Sequence, residues 1–239
     1  MLADDGRGGI RSGSLAPGLH PPATWLTAMI DFIADQLPRW RDRPGRPNVE
    51  AETRLTSQLC AHLNSAARKS SGWDVLQFRV EEPDTARPAR RVDMAAAPCA
   101  ETIWIGGRSH GDFDTLLPIE CKRLPTPDER DREKREYLLT FKGSTGGVQR
   151  FKAGHHGSQH NLAVMIGYVQ AGDIPSWVRR IDSWVRALAR ARVTGWTAGD
   201  NLRISSHDRG LRLAMLASVH DRPGSLPAID LRHLWIEMP

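Results

Sequence analysis

Residues 162–169, LAVMIGYV, form an uninterrupted apolar run. The run is too short to cross a bilayer as a helix, which takes about 20 residues. Its length and composition instead indicate a β-strand that is buried on both faces. A strand of this kind lies inside a sheet that is covered on each side, so we predict an α/β fold.

The elements around this run support the same fold class. Their predicted order is helix, helix, three or four strands, helix, buried strand, helix and strands, which indicates a mixed central sheet flanked by helices. The predicted helices cover residues 23–37, 49–68, a short segment from 148 and a long segment capped by Asp173. The predicted strands, besides 162–169, cover residues 73–80, 90–96, 101–105, 116–124, 211–219 and 229–237. Residues 1–22 are rich in Gly, Pro, Ser and Arg and are predicted to be a flexible tail. Residues 23–239 are predicted to form a single domain.

The charge balance makes a polyanionic partner worth testing. The 239 residues include 33 Lys and Arg against 28 Asp and Glu, a net charge of +5. Mildly basic proteins often bind nucleic acid, although a biased genome would produce the same excess of arginine. Three cysteines without paired spacing favour a reducing cytoplasm over a disulfide scaffold. With no long apolar run and no secretory signal, we expect no membrane partner.

Four charged residues are predicted to meet at one point. Glu120 and Lys122 are two apart on a predicted strand, so their side chains share one face. Asp93 interrupts an apolar strand and would join them if the two strands are neighbours. On the second helix Glu52 shares the inward stripe of apolar residues, whereas Glu50 lies roughly 200° away around the helix and is expected to be solvated.

Carboxylates at one point form a hard oxygen site suited to Mg²⁺ or Mn²⁺. We predict that Asp93, Glu120 and the backbone carbonyl of Cys121 are metal ligands and that Glu52 ligates directly or through water. Lys122 would stabilise the developing charge at a phosphodiester. If the carboxylates of Asp93 and Glu120 lay more than about 8 Å apart, they could not share an ion with bonds of 2.0–2.6 Å. The alternative is a salt-bridged strand without catalytic function.

This constellation resembles the PD-(D/E)XK nuclease superfamily, whose fold is restriction-endonuclease-like. The matching catalytic residues are Glu52 on a helix, Asp93 on a strand and the Glu-x-Lys of Glu120 and Lys122. The resemblance covers roughly residues 49–169, about half of the chain, and the family core αβββαβ agrees with the element order above. Val92 stands where the name-giving proline would be, at a position that is loose in the superfamily. The remaining parts would be an extra N-terminal helix and C-terminal strands.

The resemblance implies a Mg²⁺-dependent nuclease, with Mn²⁺ able to substitute. We favour DNA over RNA and endonuclease over exonuclease activity. The segments GGVQRF and MIGYV and the ending from SSHDR to HLWIEM also resemble uncharacterised bacterial members of the superfamily, which often belong to restriction or phage-defence loci. A homodimer and a partner subunit of a defence complex both stay open. The competing interpretation is an inactive nuclease fold that binds nucleic acid or serves as a subunit of a larger complex.

The helix after the Glu-x-Lys strand supplies candidate substrate contacts. Some family members carry a Gln there, so by analogy Gln149 would contact water or substrate, and Arg150 or Lys152 a phosphate. The histidines in HHGSQH, residues 155–160, lack the partner cysteines and second cluster expected of a structural zinc site. We therefore interpret this segment as a polar loop near the substrate.

Overall fold

The computed structural model describes residues 22–84, 89–126, 134–143 and 145–239. Within these residues the chain has a mixed α/β architecture with four α-helices and a mixed central sheet. The helices are α1 (Pro22–Arg41), α2 (Glu52–Ala67), α3 (Gly147–Lys152) and α4 (Ile174–Arg190). The strands are β1 (Leu76–Pro83), β2 (Arg91–Pro98), β3 (Ile103–Ile105), β4 (Arg108–His110), β5 (Leu117–Leu124), β6 (Leu162–Val169), β7 (Arg203–Asp208), β8 (Leu213–His220) and β9 (Ile229–Glu237).

The main sheet has the strand order β1-β2-β5-β6-β9-β8-β7, and β3 and β4 form a separate hairpin. β6 is parallel to both β5 and β9, and the other neighbours in the sheet are antiparallel. The apolar run 162–169 is therefore the middle strand, and seven of its eight residues are buried. This confirms the prediction made from its continuous apolar character, because a central strand loses water on both faces.

Helices cover both faces of the sheet, and the sheet separates two apolar layers. One layer lies between α1, α2 and the sheet and contains Leu37, Leu55 and Ile166, all buried. The other lies between α3, α4 and the opposite face and contains Phe151, Ile181 and Trp235. None of the helices in the described ranges is both long and apolar enough to cross a bilayer.

The last turn of α1 differs from the prediction. The helix was expected to end before Pro38, but it continues to Arg41, and the N–H of Asp42 still donates to the carbonyl of Pro38 at 2.9 Å. A proline this close to a helix C-terminus removes one hydrogen bond without stopping the helix. The extra turn buries Trp40, 1% exposed, against Tyr168, and Arg46 lies over its ring. The four arginines around Trp40 in residues 38–48 predict a basic loop, in which the ring either anchors the loop or stacks on a base. The structure instead makes Trp40 a core residue.

Other boundaries follow the sequence with a few exceptions. β9 and β6 have the predicted limits, and Asp173 caps α4 by accepting from the N–H of Ser176 at 2.8 Å. β4 and β7 occupy segments in which no strand was predicted. The tail predicted over residues 1–22 lies outside the described residues except for Pro22, which begins α1. The charged stretch 127–142 predicts a helix from residue 129. Residues 127–133 lie outside the described residues, but residues 134–142 form turns and irregular backbone, so the prediction is wrong there. Residues 137–140 are all buried, which one face of an amphipathic helix does not allow.

Candidate active site

The site begins where β2 and β5 separate. Their antiparallel ladder pairs residues 94–96 with residues 117–119 and ends before Asp93. Beyond that point Oδ2 of Asp93 accepts the backbone N–H of Cys121 at 2.8 Å. A side-chain carboxylate thus takes the place of a ladder carbonyl, and the gap between the strands admits other side chains.

The ammonium of Lys122 lies at the centre of this gap. Its Nζ is 3.0 Å from Oε1 of Glu52, 3.5 Å from Oδ2 of Asp93 and 3.2 Å from Oε1 of Glu120. It also donates to the carbonyl of Cys121 at 2.9 Å. The carboxylate oxygens of Asp93 and Glu120 that face this nitrogen are therefore at most 6.7 Å apart, the sum of their two distances to it. The separation is within the limit of about 8 Å set for a shared ion.

Glu52 reaches the site from the first turn of α2, as its place on the apolar stripe predicted. Its Oε2 accepts the backbone N–H of Arg123 at 3.0 Å while Oε1 pairs with Lys122. A carboxylate at a helix N-terminus is also favoured by the helix dipole. Glu50 is exposed, again as predicted.

Glu120 forms the floor of the site and is fully buried. Arg150 of α3 donates to its Oε1 at 2.5 Å. The Nδ1 atom of His156 lies 3.2 Å from Oε2 without hydrogen-bond alignment, so in the described part of the chain this oxygen has no hydrogen-bond partner. Burial opposes ionisation of Glu120, but Lys122, His156 and Arg150 outweigh it and lower its pKa to about 2.

Asp93 and Lys122 respond differently to the same surroundings. Burial, reinforced by the negative charge of Glu120, raises the pKa of Asp93 to about 7, against the attraction of Lys122. Burial alone would lower the pKa of Lys122, but the carboxylates of Glu120, Asp93 and Glu52 raise it well above its usual value. The site therefore holds a permanent cation beside an Asp93 carboxyl that ionises near neutral pH, so an added cation would favour its ionised form.

The oxygen donors suit a hard divalent cation in kind but not in spacing. Glu52, Asp93, Glu120 and the carbonyl of Cys121 are all oxygen ligands of the type that Mg²⁺ and Mn²⁺ prefer, and Glu120 has an orphaned buried oxygen. Across the described ranges, however, no three His, Cys, Asp or Glu side chains are grouped closely enough to hold a metal ion. The ammonium of Lys122 lies between the donors. For a metal ion to bind there, the ammonium must move away, and the oxygens must come about 1 Å closer to the centre than they now are to Nζ.

A small cleft of about 210 Å³ leads to this point from the surface. Its lining includes Glu52 and Asp93 together with Thr53, Ser57 and Glu81, which sequence reasoning did not select. Glu81 has a positive φ of 53°, and the β1–β2 ladder is interrupted at this residue. The interruption lies opposite Asp93 and widens the approach to its carboxylate.

Only one of the three predicted substrate contacts lies at the cluster. Arg150 contacts the cluster by donating a hydrogen bond to Glu120. Oε1 of Gln149 instead accepts the N–H of Thr140 at 3.1 Å and of Gly146 at 3.4 Å, which fixes the start of α3. Lys152 is directed elsewhere and is 7% exposed.

Lys152 belongs to a buried polar chain that the sequence did not predict. It forms an ion pair with Asp200, whose Oδ1 is also 2.5 Å from Nδ1 of His220. From His220 the chain continues through Ser218, His233 and Tyr137 to the indole N–H of Trp235, with contacts of 2.7–2.8 Å. Ser218 is fully buried, so despite the Asp–His–Ser order no substrate reaches it.

His156 also lies at the site, although the sequence predicted only that the whole segment 155–160 is a polar loop near the substrate. It follows α3 and faces Glu120, yet its sequence neighbours are polar and glycine-rich. No periodic pattern distinguishes it from His155 or His160 in the sequence. Only the return of the chain beneath β5 brings it to the carboxylate.

Comparisons with protein-family models, curated proteins and solved structures each found no match to this chain. The functional interpretation therefore depends on the geometry of the site.

Proposed function

We propose that this protein is a metal-dependent nuclease of the PD-(D/E)XK type that hydrolyses phosphodiester bonds, in DNA rather than RNA and as an endonuclease. The observation that carries the proposal is the convergence of Glu52, Asp93 and Glu120, from three different elements, on the ammonium of Lys122. Buried ionic groups are costly unless they are paired. A cluster with this composition therefore needs a functional explanation as well as a structural one.

The topology supports a restriction-endonuclease-like core. Counting α2, β1, β2, β5, α3 and β6 as the core gives the order αβββαβ, with β1, β2, β5 and β6 adjacent in the sheet. The hairpin β3–β4 is an insertion between the second and third strands of that core. α1 and the strands after α4 are then the additions at either end.

Each residue has a defined task in the proposed reaction. Asp93, Glu120, the Cys121 carbonyl and Glu52 would hold Mg²⁺ or Mn²⁺, which when bound activates water and neutralises charge on the phosphate. Lys122 leaves the carboxylates and donates to a non-bridging phosphate oxygen, where negative charge increases in the transition state. The fixed cation of Arg150 keeps Glu120 ionised, so that its carboxylate is always available as a ligand.

The three cysteines support activity in a reducing cytoplasm. Cys60, Cys99 and Cys121 are all free, and burial raises the pKa of the Cys60 thiol to about 11. The thiol of Cys121 is in the apolar layer on the side of α2, on the face of β5 opposite to Glu120 and Lys122, as the alternation along the strand predicted. Its carbonyl lies at the site, where it accepts from the ammonium of Lys122.

An inactive, nucleic-acid-binding form of the same fold is the second candidate. The observation in its favour is that Lys122 already neutralises the carboxylates while no metal-binding group of three is assembled in the residues that the structure describes. In this case binding would persist without cleavage.

Cleavage assays distinguish these functions. Plasmid, linear duplex, single-stranded DNA and RNA are each incubated with Mg²⁺, Mn²⁺ or EDTA, using wild type, Asp93→Asn and Glu52→Gln. Glu50→Gln is the matched control, because Glu50 is an exposed carboxylate two residues from Glu52. We expect metal-dependent cleavage by wild type and the control and a loss of about 100-fold or more in Asp93→Asn.

Two results would contradict the proposal. Equal cleavage by wild type and Asp93→Asn would remove Asp93 from the site. Absence of cleavage under every condition, combined with salt-sensitive binding of DNA, would favour the inactive form.

A further inference from the structure

β7 is an open edge of the main sheet. It pairs with β8, and among the described residues no strand lies on its other side. Five of its six residues are exposed and the sixth is half-buried. Such an edge presents unpaired backbone N–H and C=O groups, which readily pair with another strand unless something protects them.

The opposite edge, β1, carries features that discourage pairing. Glu81 has a positive φ, Glu81 and Glu82 place like charges together, and the strand ends in Pro83. Arg79 also reaches across to the carbonyl of Asp112 at 3.0 Å. Bulges, charges and proline are the usual protection of edge strands. β7 has a bulge at Ser205, but it has no proline and only isolated charges.

The sequence of β7, RISSHD, is complementary to itself when read in the opposite direction. An antiparallel pair of two copies centred between Ser205 and Ser206 places Arg203 opposite Asp208 at both ends. It also places Ile204 opposite His207. The two serines meet at the two-fold axis.

The bulge in β7 makes this pairing geometrically consistent. Arg203 and Asp208 are five residues apart and would point to opposite faces of a regular strand. The register with β8 shifts between Ile204 and Ser206, so Ser205 is an extra residue. Arg203 pairs with Ala217 of β8, and Asp208 pairs with Leu213 of β8. Ala217 and Leu213 are an even number of residues apart, so they lie on one face of the sheet. Arg203 and Asp208 therefore lie on that same face.

The remaining pair lies on the other face. Ile204 is opposite Leu216 and His207 opposite Ala214, again positions of even separation. Since a two-fold axis perpendicular to the sheet keeps each face, facing residues must share a face. Both predicted pairs satisfy this condition, and without the bulge neither would.

We propose that a second copy of this chain pairs with β7 through its own β7, giving a two-fold symmetric dimer with a continuous sheet across both protomers. The edge is short, so the dimer is weak, with association favoured by backbone hydrogen bonds and by two symmetric Arg203–Asp208 ion pairs. The inference is independent of the proposed nuclease activity.

Charge reversal at the two ends of β7 tests the proposal. In Arg203→Asp both ion pairs become acid against acid, and in Asp208→Arg both become base against base. Mixing the two variants restores two opposite-charge pairs in the mixed dimer. Sedimentation velocity over a concentration series measures the association, and circular dichroism checks that each variant is folded.

We expect wild type to show a concentration-dependent monomer–dimer equilibrium. Each single variant should associate at least about tenfold more weakly, and their equimolar mixture should associate almost as tightly as wild type. The double variant with both reversals should also recover. A wild type that stays monomeric at its highest attainable concentration, or a mixture that is no tighter than its components, overturns the proposal.

Discussion

Replacing Asp93 with Asn tests whether burial destabilises the ionised carboxylate when no divalent cation is present. Asn has almost the shape of Asp, and its amide oxygen can still accept the N–H of Cys121 that Oδ2 accepts at 2.8 Å. The substitution removes one negative charge from beside Glu120 and one partner from Lys122. The side chain of Asp93 is only 24% exposed, and burial is the largest cause of its raised pKa.

The expected size follows from the shift in the pKa of Asp93, from 3.8 to about 7. The folded protein binds this proton more tightly than the unfolded chain, so the contribution of Asp93 to stability falls as the pH rises from 3.8 to about 7. Above that window the loss is complete, and a shift of roughly three units is worth up to about 4 kcal/mol. The amide in the Asp93→Asn variant does not titrate, so the variant does not lose this stability as the pH rises.

Urea unfolding in EDTA, at intervals from pH 4 to pH 8, measures the difference between the two proteins. Near pH 4 their free energies of unfolding should be similar, and at pH 8 the variant should be the more stable by up to about 4 kcal/mol. Comparing the proteins cancels the titration of groups that do not interact with Asp93. Glu50→Gln, which removes an exposed carboxylate, should show no comparable pH-dependent gain. Parallel curves for wild type and Asp93→Asn would refute the argument that this carboxylate is destabilised by burial.

Four further substitutions, at three positions, test the packing of the fold. Lys152→Met leaves Asp200 buried without its cation and should cost about 3 kcal/mol in urea unfolding; a change below about 1 kcal/mol would contradict a buried ion pair. Gly146→Ala would place a Cβ against the backbone of Leu139, so α3 should shift and the melting temperature should fall by about 5 °C or more, and an unchanged melting temperature would be inconsistent with this contact. Trp40→Ala should lose about 3–5 kcal/mol of stability, whereas Trp40→Phe should keep nucleic-acid affinity within about twofold if the ring is core and not a base-stacking group.

The sequence determined the elements whose signal is local. The apolar run 162–169 gave the central strand β6 with its limits, and Asp173 marked the start of α4. Alternation placed Glu120 and Lys122 on one face of β5, and helical spacing selected Glu52 over Glu50. These predictions succeed because periodicity follows directly from the geometry of the strand and the helix.

Tertiary structure decided which polar groups meet. Arg150 and His156 reach Glu120, while Lys152, close to them in sequence, pairs with Asp200 on the far side of α3. Since a charged side chain is buried only where a partner offsets the loss of water, its position depends on residues distant in the sequence.

The same reason explains two of the regions where local signals gave the wrong structure. Pro38 predicted the end of α1, but burial of Trp40 against Tyr168 stabilises one more turn. The segment RISSHD has no strand periodicity, and pairing with β8 makes it a strand with a bulge at Ser205. A sequence pattern records the preferences of neighbouring residues, whereas the partners that override those preferences are supplied only by the folded chain.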